Sequence, residues 1–171
     1  TTEFKRGKLQ DLVALVSGRN FETKQFEESI VEESFNRLKS SLLSFMNETH
    51  FKRFVMIIRS AGFVDESLIG SQNALNSAYI VYLTLRNVKT PDAEIERYVR
   101  KWFVFSVLTG RYSGSPESMF DYDIRQIHTQ GFQSFSGSLY AGQLSDAFWN
   151  ASLPQEMDTS VASSPYFRVF Q

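Results

Sequence analysis

The sequence predicts an all-α domain, an irregular bundle of roughly seven helices. Three observations predict it. Apolar residues recur at helical spacing in successive segments, start and stop residues bracket those segments, and no polar–apolar alternation bounded by turn signals occurs. The chain of 171 residues suits a single domain, which at that size buries about two-thirds of the surface of its unfolded form. With 16 Phe, 7 Tyr and 2 Trp, aromatics reach 15% of the chain, enough to predict large core faces or a buried interface.

Leu9, Leu12, Val13 and Val16 fall at i, i+3, i+4 and i+7, the face of a first helix, and Gly18 follows where a left-handed residue closes such a helix. A second helix runs from about Lys24 to Met46, with Val31, Phe35, Leu38, Leu42 and Phe45 as its stripe. Its acids, Glu27, Glu28, Glu32 and Glu33, precede its bases, Arg37 and Lys39, as the helix dipole favours. A third, about Thr49 to Ala61, carries Phe51, Phe54, Val55 and Ile58 and stops at Gly62. Ser71 caps a fourth that turns Leu75, Ala78, Tyr79 and Tyr82 inward and runs to about Val88.

Thr90-Pro91 opens the fifth helix, with proline at its first position and Asp92 and Glu94 in its first turn. Its face is Ile95, Val99, Trp102, Phe103 and Ser106, and Gly110 ends it. Ser115-Pro116-Glu117 repeats those start signals for a sixth helix through about Thr129, with Phe120, Ile124 and Ile127 on one side. Beyond Gly131 the pattern is interrupted by Gly137, Gly142 and several serines, and the reading is one helix from Leu139 to Trp149. Ser164-Pro165 reads as a further start. The opening residues carry no apolar signal core and no initiator Met, so residues 1–171 read as a single helical domain excised from a larger protein, its last element truncated.

Eighteen Lys and Arg against 19 Asp and Glu give a formal charge of −1, which excludes a strongly basic nucleic-acid arm or an acidic tail. Zero cysteines exclude a disulfide scaffold and every cysteine-based metal or nucleophile site. The stretch from Leu68 to Leu85 lacks charge, but Ser71, Gln72, Asn73, Asn76 and Ser77 suit the central helix of a bundle rather than a bilayer, so no membrane is expected. His50 and His128 stand outside any metal-binding spacing, and neither a Walker phosphate loop nor a Gly-x-Ser-x-Gly elbow is present. Asp121 and Asp123, two apart on a helix, point about 200° from each other and do not chelate one ion. The expectation is no catalytic residue, no metal site and no cofactor.

The densest polar constellation is Arg111-Tyr112-Ser113-Gly114-Ser115-Pro116-Glu117, between the fifth and sixth helices. Free N–H groups at a helix start beside a guanidinium suit a phosphate or a neighbouring domain. In the plainer reading Ser115 caps, Pro116 starts, Gly114 permits the turn and Arg111 pairs with an acid. Gln72 and Asn73, with Ser71 and Asn76, form a second candidate, either a ligand grip or a cap network. Lys52, Arg53 and Arg59 are candidate phosphate contacts or a solvated face.

The run from Arg100 through Trp102-Phe103, Ser106 and Gly110-Arg111-Tyr112-Ser113-Gly114-Ser115 to Glu117-Ser118 and Asp123-Ile124 resembles a signature in the helical region of GmrSD-type restriction endonucleases. These bacterial proteins attack modified phage DNA. Further resemblance lies at His50 to Val55, Arg59 to Phe63 and Ser71 to Asn76, so it spans about Phe51 to Ile124. Family members place an N-terminal ParB/sulfiredoxin-like nucleotide-hydrolysing domain before this region and often an HNH nuclease domain after it. Neither the Asp-Gly-Gln-Gln-Arg motif of the first nor the His-His motif of the second occurs here. The resemblance therefore implies a cytoplasmic, non-catalytic helical domain whose partners are other domains of the same polypeptide. The alternative is a helical module that contacts DNA backbone or phosphate. Aromatic surface left bare would also favour a homo-oligomer.

Overall fold

In the computed structural model, which describes residues 7–20, 23–65, 68–159 and Tyr166, the chain is all-α. Its helices are α1 (Leu9–Val16), α2 (Glu28–Phe45), α3 (Glu48–Ser60), α4 (Gln72–Asn87), α5 (Asp92–Leu108), α6 (Pro116–Gln130), α7 (Phe132–Gln143) and α8 (Leu153–Thr159). A π-helical turn, Phe148–Ser152, leads into α8. No strand occurs among the described residues, where an isolated antiparallel bridge joins Arg19 and Phe26.

α5 is the hub, packed against α4 and α3, while α6 packs against α7 and α1 lies on α2. The centre holds Ala74, Ala78 and Tyr82 of α4 with Val99, Trp102 and Phe103 of α5, all essentially solvent-free. Small residues on α4 let the large rings of α5 approach, and rings from α3 and α7 close the core: Phe54 lies 4.9 Å from Tyr79, and Phe132 5.5 Å from Trp102.

Local signals explain most boundaries. Ser71 accepts the Ala74 N–H at 3.2 Å and starts α4, and Asn47 does the same for α3 through the His50 N–H. Gly18 and Gly110 adopt φ of +89° and +57°, closing α1 and α5 in the left-handed conformation expected of such positions. Pro91 stands at the N-cap of α5, one place earlier than expected, whereas Pro116 occupies the first turn of α6.

Three expectations need correction. The region after Gly131 is not one helix from Leu139 to Trp149: α7 begins at Phe132 and ends at Gln143, and Trp149 belongs to the π-helical turn. Burial of Phe132 and Phe135 against Trp102 outweighs the low helix propensity of Gly137. The α2 stripe is not core, since Phe35 is 57% and Leu42 49% exposed, and only Ser34 of that helix is buried. Phe45, also half-exposed, is anchored at one edge, where the Tyr79 hydroxyl donates to its carbonyl at 2.8 Å. Finally, Ser115 makes no side-chain cap bond, and Gly114 has neither positive φ nor any atom within 4 Å of a built Cβ, so the turn does not demand glycine there. The expected start at Ser164-Pro165 lies outside the described residues.

Candidate functional site

The predicted segment from Arg111 to Glu117 divides into a buried and an exposed half. After Gly110 reverses the chain, Arg111 and Tyr112 turn inward under α6, while Ser113, Gly114, Ser115 and Glu117 face solvent. Tyr112 stacks on Phe120 at 4.8 Å between ring centroids. Arg111 lies 5.5 Å above the Trp102 ring, a cation–π contact inside the core.

Asp123 receives both side chains. The Arg111 guanidinium grips it with two donors, Nε at 2.9 Å from Oδ2 and Nη2 on Oδ1. The Tyr112 hydroxyl donates to Oδ2 at 2.6 Å. Both charged side chains are about 5% exposed or less. A charge removed from water needs this degree of pairing, because each ion taken into the core alone costs several kcal/mol.

The polar cluster continues to α4 and α5. Trp102 Nε1 donates to Ser77 Oγ at 2.8 Å, and Ser77 Oγ meets the Tyr112 hydroxyl. Indole N–H can only donate and the paired carboxylate only accepts. The chain of donors therefore runs one way, from Trp102 through Ser77 and Tyr112 to Asp123, with Arg111 donating from the other side. Four elements, α4, α5, the α5–α6 turn and α6, are tied by one network. Ser106, although 1% exposed, takes no part, and its hydroxyl has no hydrogen-bond partner.

These surroundings shift two groups. Burial opposes the Arg111 charge, but the hydrogen bond and charge of Asp123, with a lesser effect from Tyr112, outweigh it and raise the arginine pKa. Burial also pushes the Tyr112 hydroxyl far above its ordinary value of 10.0, and the Asp123 charge and hydrogen bond act in the same direction. The folded protein thus keeps a proton that the unfolded chain releases above pH 10.0. The associated stability is intact below that pH and is lost as pH rises toward the raised value, by about 1.4 kcal/mol per pH unit for one group. Urea unfolding at several pH values between about 9 and 11.5 should show the decline, and a shallower one in Tyr112→Phe. Equal slopes in the two proteins would exclude Tyr112 as a source.

The geometry corrects the phosphate expectation for Arg111 and Tyr112, because both are buried and committed to Asp123. In the sequence Asp123 stands two residues from Asp121, a spacing that raises the question of a metal pair and does not point across the turn to Arg111. Asp121 instead accepts the Gly7 N–H at 2.8 Å and pairs with Arg125 at 2.9 Å, fastening the segment before α1 to α6. Among the described residues no group of three or more His, Asp or Glu could hold a metal ion. Gln72 is exposed and donates to Asn76 at 3.1 Å, beside a half-buried Asn73. Of the α3 bases, Lys52 pairs with Glu48 at 2.7 Å and Arg53 with Asp92 at 2.9 Å, as a solvated face does. Comparison with protein-family models, curated proteins and solved structures finds no match to this chain. No helix among the described residues is long and apolar enough to cross a membrane.

Proposed function

We propose that this chain is the non-catalytic helical domain of a GmrSD-like restriction or phage-defence protein. In that role it supports an N-terminal nucleotide-hydrolysing domain and couples it to a C-terminal HNH-type nuclease domain. The observation that carries the reading is the uncovered apolar face of α2 and its flank, where Phe35, Leu42, Leu43, Phe45, Met46 and Phe51 are about half-exposed or more. Exposed apolar side chains gathered on one helix and its flank suit a surface on which another protein element sits. A catalytic cleft needs no such face, but a domain held between two others does.

The resemblance lends a second line of support. Its signature residues Trp102, Arg111, Tyr112 and Asp123 meet in the buried network, so the pattern reads as a rule for building this bundle rather than as a reactive set. Under the proposal, the exposed Ser113, Gly114 and Ser115 remain available to a neighbouring domain.

The test starts from the reading frame that carries this chain. It should encode an Asp-Gly-Gln-Gln-Arg motif on the N-terminal side or a His-His nuclease motif on the C-terminal side, and a complete frame with neither overturns the proposal. In the whole protein, Phe35→Glu with Leu42→Glu should abolish restriction of phage. The same pair should change the thermal stability of the 171-residue chain little, since exposed substitutions usually fall within about 0.5 kcal/mol. Undiminished restriction by that variant would remove the α2 face from the mechanism.

A further inference from the structure

A second surface has a different character. A groove of about 420 Å³ runs between the C-terminal end of α3, one face of α5 and the π-helical turn. Arg97, Arg100 and Lys101 line it, spaced i, i+3 and i+4 so that they share one side of α5. Val104 and Leu108 continue that side as an apolar floor, and Trp149 joins the lining from the π-helical turn.

The three cations on this face lack carboxylate partners. Arg37, Lys52, Arg53, Arg86, Arg111 and Arg125 all pair with carboxylates, but Arg97, Arg100 and Lys101 pair with none among the described residues. Among the described residues no carboxylate lines the groove. The neighbouring acids of α5 face elsewhere, Glu96 toward Arg53 at 3.8 Å and Glu94 toward Gln133 at 3.5 Å. Arg97 and Lys101 are steadied by aromatic rings instead, lying 5.0 Å from the Tyr98 centroid and 4.3 Å from the Tyr140 centroid. That support orders the cations without neutralising them.

Trp149 is 43% exposed, yet it is held in place. Its indole N–H donates to the Leu144 carbonyl at 3.1 Å, and Phe148 meets it edge-on at 5.1 Å. The π-helical turn that presents it is a rare local geometry, one that often marks functional positions. A fixed, exposed indole beside a row of uncompensated cations offers a stacking plane and phosphate contacts together.

We propose that this groove binds single-stranded nucleic acid, with successive phosphates on Arg97, Arg100 and Lys101 and a base stacked on Trp149. A duplex has the phosphates but keeps its bases stacked on one another, and an acidic peptide has charge but no flat ring for the indole. Only an unpaired strand uses both halves of the groove. The inference does not rest on the restriction-protein reading, since it needs only the groove.

Fluorescence offers a direct test on the 171-residue chain, because Trp102 is fully buried and a bound base can quench only Trp149. Titration with single-stranded oligothymidylate of about 15 nucleotides should quench that emission, and affinity should fall with salt at a log–log slope of about −2 for three phosphate contacts. By anisotropy of a labelled strand, Trp149→Ala should bind about 5- to 150-fold more weakly with the same salt slope. The triple variant Arg97→Ala, Arg100→Ala, Lys101→Ala should instead lose the slope. All four residues are exposed, and near-ultraviolet circular dichroism checks that the variants stay folded. Absence of quenching at millimolar oligonucleotide overturns the proposal. So does equal affinity for a blunt duplex or for polyglutamate, either of which would reduce the groove to a general anion surface.

Discussion

Arg111→Ala is expected to cost the domain about 3–5 kcal/mol of folding stability, the usual penalty when one partner of a buried ion pair is removed. The loss arises from what remains behind. Asp123, with a side chain 4% exposed, would keep only the Tyr112 hydroxyl where it now has three donor contacts. Thermal unfolding of the variant beside the wild type measures the effect, and a second variant assigns it. Adding Asp123→Ala to Arg111→Ala should cost little more than Arg111→Ala alone, because the stranded charge disappears with it. A change within about 0.5 kcal/mol for Arg111→Ala, as at an ordinary surface site, would show the arginine free to serve a contact outside the bundle.

Trp102→Ala should be similarly severe, on the order of 3–5 kcal/mol, which for a domain of this size is a fall in Tm of roughly ten degrees. Trp102 is fully buried and packs on Phe105, Phe132 and Phe135 at 5.6, 5.5 and 6.0 Å. It also donates to Ser77 and forms the surface on which Arg111 lies. Trp102→Phe separates these roles, since it keeps much of the packing and loses the indole N–H. Its cost should be about 1–2 kcal/mol, near that of one buried hydrogen bond. An unchanged melting midpoint in Trp102→Ala would contradict the placement of α5 at the centre. Because Trp102 and Arg111 touch, their effects should not add.

The parts of this fold that were legible in the sequence are those where periodicity and caps agree. On α5 the face of Ile95, Val99, Trp102, Phe103 and Ser106 is buried at every position. On α2 an equally regular stripe is largely exposed, since spacing shows that a face is apolar but not what covers it. α7 was hidden for the opposite reason: its start has neither a polar cap nor a proline, and the ring contacts that hold it are with residues far away in sequence. At the candidate site, the sequence admits the pairing of Arg111 with an acid as the plainer alternative. It does not identify that acid, because the contact with Asp123 depends on how the α5–α6 turn brings Arg111 against α6. The i, i+3, i+4 spacing of Arg97, Arg100 and Lys101 is visible in the sequence, but such a row reads there as an ordinary solvated face. The absence of opposing carboxylates among the described residues depends on packing between elements and has no signature in the sequence.

The one-way order of the buried donors has a consequence for proton exchange with solvent. The Trp102 indole proton is held by Ser77, which is itself committed to Tyr112 and so to Asp123. Its exchange with deuterium is therefore expected to require a large opening of the bundle, at a rate that follows the global unfolding free energy. The Trp149 indole proton rests on the Leu144 carbonyl at the surface and exchanges whenever that turn frays. The two tryptophans thus carry separate clocks in one molecule, one for the whole domain and one for its edge.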